Sequence, residues 1–305
     1  MNITNNQFEI LAFAERENRE NNENPGVGRI STETRLPAEL VKGICSDFEN
    51  DGVLEQDSNG GYKVTEKGLE TLEPYRVKRA VILAAGFGSR MVPITLNTPK
   101  PLVRVHGKMI IETLLDAIEK AEIPEIVLIR GYLWEQFDQL KYKYPNIKFI
   151  ENHLYNKANN ISSALIAKDL LENAYVCEAD LLVSNPHLIR KYEYRSNYLG
   201  QYKDYTDDWC FKVENSVIKE LLVGSENCYH MYGISYWTQE DGKKMSSDIE
   251  KVYNMEGGTE KYWDEVALRF CMDNYEIHVR PCFEGDIVEI DTFGELQQID
   301  ESYKI

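Results

Sequence analysis

Short apolar runs alternate with amphipathic segments through most of the chain after residue 78. The apolar runs are nearly unbroken, as in strands that are buried on both faces of a sheet. They span residues 79–86, 125–132, 147–152 and 174–183. The intervening segments space apolar residues three and four positions apart, which predicts amphipathic helices. They span residues 109–123, 134–144 and 162–171. This alternation predicts βαβ units around a mostly parallel sheet.

The region between residues 209 and 237 continues with strand-like segments and no clear helix between them. These segments are residues 211–223 and 230–237. We expect them to form a mixed edge of the same sheet. The predicted fold class is therefore α/β, a three-layer, Rossmann-like domain with a mostly parallel sheet.

Residues 1–75 follow a different pattern. Apolar residues at 8–13 have helical spacing, and a polar stretch at 18–28 interrupts them. The next apolar residues, Leu40, Ile44 and Phe48, recur every four positions. Two short alternating runs then flank Ser58, Asn59, Gly60 and Gly61, which is a hairpin signal. Three helices and a hairpin are typical of a small winged helix-turn-helix domain, so we place a domain boundary between residues 75 and 76.

The charge of the chain argues against nucleic acid and membrane surfaces as partners. The 305 residues include 34 basic and 51 acidic side chains, a net charge of −17. The first 76 residues contain 15 acidic and eight basic side chains, and Lys42 is the only base in the expected recognition helix, residues 37–50. A DNA-binding domain needs a basic surface. We therefore expect the small domain to serve packing or formation of a homodimer.

Hydropathy predicts no membrane span, because no apolar stretch approaches the roughly 20 residues that a helix needs to cross a bilayer. The first residues lack the basic segment and apolar core of a secretory signal. We therefore expect a cytoplasmic protein.

A glycine-rich turn directly follows the first strand of the large domain. The turn has the sequence Ala84–Ala85–Gly86–Phe87–Gly88–Ser89–Arg90. Glycines allow backbone N–H groups to approach phosphate oxygens closely, although such a turn is weak support by itself. Arg90 closes the turn, and Lys100 follows within the segment TPKPL. Two cations at this position would neutralise phosphate charge on an otherwise acidic chain.

Two carboxylates interrupt the apolar run at 174–183. Glu178 and Asp180 lie where ligands bind in parallel α/β sheets, at the carboxyl end of a strand. Late in the chain, Glu289 and Asp291 alternate along the segment DIVEIDT. A pair of carboxylates from these two places could hold Mg²⁺, which prefers oxygen ligands.

The motifs LAAGFGSRM and TPKPL resemble the signature of nucleotidyltransferases of the nucleoside-diphosphate-sugar pyrophosphorylase type. This resemblance implies a nucleotidyltransferase domain over residues 76–305, with Arg90 and Lys100 as the catalytic cations. It also implies that Asp180 and Asp291 bind Mg²⁺. The nucleotide-binding residues that we expect are Leu83, Ala84, Ala85, Gly86, Phe87, Gly88, Ser89, Arg90, Lys100, Gly131, Tyr132, Asn160, Ser163, Glu178 and Ala179. For Asn160, capping of the helix that follows is an equal alternative.

Over about residues 78–300 the chain resembles, more narrowly, the bacterial CTP:phosphocholine cytidylyltransferases of the LicC type. The matching fragments are IRGYLWEQF, YNKANNISSAL, DDWCFKV, GISYW, EKYWDEV and IVEIDT. The resemblance implies transfer of CMP from CTP to phosphocholine, a small phosphorylated amino-alcohol.

The acceptor's quaternary ammonium has no hydrogen-bond donor, so aromatic faces and carboxylates should bind it. The candidates are Asp208, Trp209, Tyr262, Asp264 and Glu289. Phosphoethanolamine, an aminoalkylphosphonate or a sugar 1-phosphate is an alternative acceptor. A winged-helix regulator with a nucleotide-sensing domain is an alternative of another class.

Overall fold

The computed structural model describes residues 2–304, and the chain divides into two units. One comprises Met1–Arg76 together with Tyr192–Tyr194, and the other comprises Val77–Lys191 and Arg195–Ile305. No helix within residues 2–304 is both long and apolar enough to cross a membrane.

Over residues 2–76, the first unit contains four α-helices and a two-stranded hairpin. In chain order these are α1 (Asn5–Asn21), α2 (Val27–Thr34), α3 (Ala38–Asn50), β1 (Leu54–Gln56), β2 (Tyr62–Val64) and α4 (Glu66–Leu72). Thr4 and Gln7 form a capping box that fixes the start of α1. In α3, Val41, Ile44 and Phe48 are buried, whereas Leu40 is exposed. The four-residue spacing predicts a buried face of Leu40, Ile44 and Phe48. The buried face of α3 instead includes Val41 in place of Leu40, so it is rotated slightly about the helix axis.

The second unit alternates strands and helices before a long hairpin. Its elements are β3 (Arg79–Ala84), β4 (Arg104–Val105), β5 (Lys108–Met109), α5 (Ile110–Lys120), β6 (Ile126–Arg130), β7 (Ile147–Glu151), α6 (Ile161–Ala167), β8 (Ala174–Glu178), β9 (Leu181–Val183), β10 (Asn197–Glu214), β11 (Val217–Trp237), α7 (Gln239–Tyr253), β12 (His278–Pro281), β13 (Ile287–Glu289) and α8 (Phe293–Ile299).

Seven of these strands form one sheet in the order β10-β12-β11-β8-β3-β6-β7. Strand β3 lies parallel to both β6 and β8, and β7 lies parallel to β6. Strand β11 joins β8 in antiparallel orientation and pairs with β10 as a hairpin. The predicted α/β class with a mostly parallel sheet is confirmed, as is the mixed edge.

Alternate residues of β3 pack on opposite faces of the sheet. Ala80 and Ile82 belong to the same hydrophobic cluster as Leu114 of α5. Val81 packs on the other face, in a cluster with α6 and α7. Since both faces are covered by helices, the unit has three layers, and its central strands are apolar except at their ends.

Two predicted helices take a different form. Residues Trp134–Tyr142 form a 3₁₀ helix, and α6 ends at Ala167, after which Lys168–Leu170 form a 3₁₀ turn. The buried residues of the first segment are Phe137 and Leu140, three positions apart. This spacing fits a 3₁₀ helix as well as an α-helix, so the sequence pattern does not distinguish the two forms.

Candidate active site

A cleft of about 650 Å³ opens where β3 and β8 end. The carboxyl ends of parallel strands are the usual ligand-binding edge of an α/β sheet. All of the predicted site residues except Gly131 and Tyr132 line this cleft. The fold therefore brings together side chains from segments more than 200 positions apart in the chain, such as Arg90 and Asp291.

The glycine-rich turn is held in one conformation by its neighbours. Gly88 has φ +67°, and a Cβ atom at this position would lie 3.0 Å from the Cβ of Lys100. The Thr95 hydroxyl donates a hydrogen bond of 2.8 Å to the Gly88 carbonyl. Within residues 2–304, the N–H groups of Gly86, Phe87 and Gly88 donate to no protein acceptor. These three donors are therefore available to a ligand anion.

Lys100 bridges the two predicted metal carboxylates. Its Nζ lies 2.8 Å from Asp180 Oδ2 and 2.9 Å from Asp291 Oδ1. Arg90 also donates to Asp291 Oδ1, at 2.7 Å. Burial opposes the charge of Lys100, but the two carboxylates outweigh it and raise the pKa of the ammonium group. Lys100 is therefore charged at neutral pH and fixed between the two aspartates.

Three carboxylates converge in a geometry that suits a cation. Oxygens of Asp180, Glu289 and Asp291 lie within 4.8 Å of one another. Asp180 Oδ1 is buried and accepts no hydrogen bond from the part of the chain that the structure describes. A buried carboxylate oxygen without a partner is costly unless a ligand satisfies it. An all-oxygen set with such an atom fits a hard divalent cation.

A second group of possible ligands shares Glu289. It consists of Asp208, His230 and Glu289, whose ligand atoms also lie within 4.8 Å of one another. His230 is buried, and its Nδ1 lies 3.1 Å from Thr206 Oγ1. Burial lowers the pKa of His230, so its ring is neutral at physiological pH. No pattern in the sequence singled out this histidine.

Glu178 occupies a space that a glycine on the neighbouring strand leaves free. A Cβ atom at Gly233 of β11 would come within 2.3 Å of Glu178 Oε2. Burial, together with the charges of Asp180, Asp264 and Glu289, raises the pKa of Glu178 well above its ordinary value. The Asn160 amide reaches Glu178 Oε1 at 3.4 Å. Glu178 is therefore a half-buried carboxyl group on the wall of the cleft, in surroundings that favour its protonated form.

Two aromatic rings and several carboxyl groups form the other side of the cleft. The rings of Trp209 and Tyr262 meet edge to face, with centroids 5.6 Å apart. Burial raises the pKa of Asp264 to about 7, although a hydrogen bond of 3.0 Å from the Tyr198 hydroxyl opposes the rise. Burial and the charges of nearby aspartates raise the pKa of Glu289 to about 8. A cation that entered here would find aromatic faces and acidic groups together.

Gly131 and Tyr132, which the sequence predicts to bind the nucleotide, do not line the cleft itself. Both residues line a separate cavity of about 310 Å³. The Tyr132 N–H donates to the Ala85 carbonyl at 3.1 Å, and a Cβ atom at Gly131 would lie 2.9 Å from that same oxygen. The Tyr132 hydroxyl donates to the carbonyls of Thr95 and Leu96. The two residues thus support the glycine-rich turn from behind.

Asn160 does not cap α6 through its side chain. Its Oδ1 instead accepts the N–H of Trp263 at 2.8 Å, so the amide links the aromatic wall to Glu178. Ser163 lines the cleft and accepts a hydrogen bond of 2.9 Å from Asn152 Nδ2. Asn152 also lines the cleft, although it is not among the predicted site residues. It directly follows β7, and residues at the carboxyl ends of parallel strands are typical of ligand sites.

Comparison with known proteins shows consistent similarities. A family model described as "Nucleotidyl transferase" matches residues 79–211. The chain is 36% identical over 228 residues to the 2-aminoethylphosphonate cytidylyltransferase of Lancefieldella rimae, covering 73% of this chain and 92% of that protein. It is 32% identical over 228 residues to the choline-phosphate cytidylyltransferase of Streptococcus pneumoniae, covering 74% and 98%. The solved structure of the Streptococcus pneumoniae CTP:phosphocholine cytidylyltransferase LicC superposes with a TM-score of 0.69 at 33% identity, covering 75% of this chain and 100% of that one.

Proposed function

We propose that this chain, which belongs to the nucleotidyl transferase family of cytidylyltransferases, transfers CMP from CTP to phosphocholine and releases pyrophosphate. The observation that carries the choice of acceptor is the ring pair of Trp209 and Tyr262 beside the acidic groups of the cleft. A quaternary ammonium offers no N–H donor, so aromatic faces and negative charge are what it can bind.

The acceptor phosphate carries its own negative charge, so the reaction needs no general base. Catalysis then consists of positioning the two substrates in line and stabilising charge on the phosphates. The free N–H groups of residues 86–88 bind the nucleotide phosphates in this proposal. Arg90 and Lys100 stabilise the departing pyrophosphate, since both cations lie together at Asp291 Oδ1 beside the turn.

Asp180 and Asp291 are the residues that would hold Mg²⁺, and Glu289 lies close enough to contribute a third oxygen. The ion, when bound, supplies positive charge that stabilises the phosphates during transfer. The unpartnered Oδ1 of Asp180 supports this assignment. In the ion-free protein Lys100 holds the two aspartates together, so it also keeps the ligand set in place.

A primary ammonium acceptor, 2-aminoethylphosphonate, is the second candidate. The cleft is lined by the carboxyl groups of Glu178, Asp208, Asp264 and Glu289, which could accept the hydrogen bonds of three N–H donors. The relative from Lancefieldella rimae carries the name of this activity.

An acceptor comparison separates the two candidates. Pyrophosphate release from CTP is measured with phosphocholine, phosphoethanolamine, 2-aminoethylphosphonate and glucose 1-phosphate, with and without EDTA. We expect phosphocholine to give a kcat/KM about tenfold or more above the others, because the aromatic pair favours a quaternary ammonium. EDTA should abolish activity with every acceptor.

Two matched tryptophan variants accompany the comparison. Trp209→Leu should lower kcat/KM for phosphocholine, whereas Trp134→Leu, in the separate cavity, should leave it unchanged. If 2-aminoethylphosphonate is the best acceptor and Trp209→Leu has no effect, phosphocholine is the wrong acceptor and the second candidate replaces it.

For the whole chain we propose a winged helix-turn-helix domain over residues 1–75 and the nucleotidyltransferase domain over residues 76–305. The order of α1, α2, α3 and the β1–β2 hairpin supports the first assignment. The acidic character of this segment favours packing or homodimer formation over binding of nucleic acid.

A further inference from the structure

A π-helical turn, Val266–Phe270, follows directly on the cleft wall that carries Tyr262 and Asp264. The Cys271 N–H donates to the Val266 carbonyl at 2.8 Å, which is the wide hydrogen bond of a π turn. Such turns are rare and often occur at functional sites. The turn carries Arg269, whose side chain contacts Trp209, which forms the aromatic pair of the cleft with Tyr262.

Glu265 and Arg269 connect the two residues of this pair. Glu265 is buried, and its Oε2 accepts the backbone N–H of Tyr262 at 3.0 Å. Its Oε1 accepts a hydrogen bond from Arg269 Nη1. The Arg269 guanidinium carbon lies 5.5 Å from the centroid of the Trp209 ring, and Nη2 donates to the Leu221 carbonyl at 3.3 Å. One ion pair therefore contacts the backbone of Tyr262 and the ring of Trp209.

We infer that the Glu265–Arg269 pair is a positioning device that holds the rings of Trp209 and Tyr262 ready for the acceptor's ammonium group. The inference rests on the proposed function of the aromatic pair. Neither Glu265 nor Arg269 lines the cleft, so neither contacts the substrates. Their effect must pass through the two rings.

The rings need to be positioned because they are partly exposed to solvent. Tyr262 is 43% exposed at the edge of the cleft, and a ring in this setting loses rotamer freedom when a ligand binds. The guanidinium occupies one position over Trp209 and limits its rotation, while the Glu265 carboxylate fixes the backbone of Tyr262. Preorganised rings bind the acceptor more tightly without changing the chemistry of transfer.

Charge-neutral variants test the inference in the full-length enzyme. Arg269→Met keeps the aliphatic stem and removes the cation. We expect it to raise the KM for the acceptor about fivefold, while kcat and the KM for CTP change less than about twofold. Glu265→Gln should have the same pattern, because it loses the ion pair but keeps an oxygen for the Tyr262 N–H. Arg269→Lys should recover part of the loss, since it restores a cation near the ring.

Lys244→Met is the matched control. Lys244 forms an ion pair of the same i, i+4 spacing with Glu240 on α7, where the acid is exposed, and it does not line the cleft. This variant removes the same charge and should leave both KM values unchanged. An unchanged acceptor KM in Arg269→Met overturns the inference. An equal rise in both KM values, or the same rise in Lys244→Met, also overturns it.

The acceptor comparison on the wild-type enzyme distinguishes a failure of the positioning role from a failure of the proposed function. If the wild-type enzyme prefers a primary amine, phosphocholine is the wrong acceptor, and the KM test is then run with the preferred compound. A rise in that KM upholds the positioning role, and no rise contradicts it.

Discussion

At the scale of single residues, Asp264 shows how burial changes a functional group. The carboxyl is almost inaccessible to solvent, and its pKa rises to about 7 mainly through burial, against the opposing hydrogen bond from Tyr198. The folded chain therefore holds a proton that the unfolded chain releases near pH 4. Because the folded state binds more protons over this interval, stability falls as the pH rises from about 4 to about 7.

Asp264→Asn should remove this pH dependence. The amide is neutral at all pH values, and its oxygen can still accept the Tyr198 hydroxyl. We expect the unfolding free energy of the variant, relative to wild type, to increase from pH 4 to pH 7 by on the order of 1–3 kcal/mol. Urea denaturation at several pH values, with chelator present, measures the difference.

Tyr198→Phe gives the complementary variant for this measurement. It removes the hydrogen bond that lowers the pKa of Asp264, so the loss of stability should extend to higher pH than in wild type. Wild-type and Asp264→Asn curves that run parallel between pH 4 and pH 7 would contradict a raised pKa for Asp264.

Individual residues were predictable from the sequence where a local motif fixes their position. The turn residues and Lys100 are of this kind, and the structure places them in the cleft as expected. Gly233 and Arg269 carry no local signal. Their importance arises from Glu178 and Trp209, which lie more than 50 positions away in the chain. Only the folded chain creates these contacts.

At the scale of elements, the glycine-rich turn depends on one position that favours glycine. Gly88 combines a positive φ with close neighbours, since a Cβ atom would lie 3.0 Å from Lys100 Cβ and 3.2 Å from Thr95 Cγ2. A side chain here would disturb both the turn and Lys100. A substitution at position 88 should therefore weaken the binding of CTP.

Gly88→Ala is expected to raise the KM for CTP about tenfold or more, because Ala at positive φ is strained and its Cβ displaces Lys100. Gly107→Ala is the matched control. Gly107 has φ +84°, nothing lies within 4 Å of its added Cβ, and it does not line the cleft. The control should lose some thermal stability and keep its KM. An equal rise of KM in both variants would show that backbone strain alone is responsible.

The elements themselves were predictable to different degrees. Strands β3, β6, β7 and β8 follow from their apolar runs, because burial on both faces leaves a strong pattern. The 3₁₀ helix Trp134–Tyr142 and the π turn Val266–Phe270 were not predictable. Their backbone hydrogen bonds span one residue fewer or one residue more than those of an α-helix, and packing against the rest of the chain decides between the three forms.

At the scale of the whole molecule, charge is distributed unevenly with respect to the substrates. The chain carries a net charge of −17, yet both proposed substrates are anions. Lys100 and Arg90 therefore provide local positive charge at a carboxylate centre that would also hold a cation. The same acidity bears on the proposed winged helix, whose fold in other proteins often serves DNA binding.

Full-length protein should not retard duplex DNA in a gel-shift assay, even at low salt. The exposed face of α3 presents Glu39, Lys42, Ser46 and Glu49 at helical spacing, so a single base stands between two acids. DNA binding requires several phosphate contacts from basic side chains. Retardation of the wild-type protein would contradict this prediction and favour a regulator.

Reversing the charge of the two acidic residues on this face tests whether the shape of α3 suits DNA. The double variant Glu39→Lys, Glu49→Lys presents three lysines on one side of α3. If the unit is a winged helix that differs from a DNA-binding one only in its charge, the variant should retard DNA at low salt. It should release the DNA as the salt concentration rises, because counterion release drives such binding. If a second copy of the chain covers α3, the added charge cannot reach DNA and no retardation follows. The gel shift of this one variant therefore distinguishes an acidic but accessible recognition helix from one used as an interface.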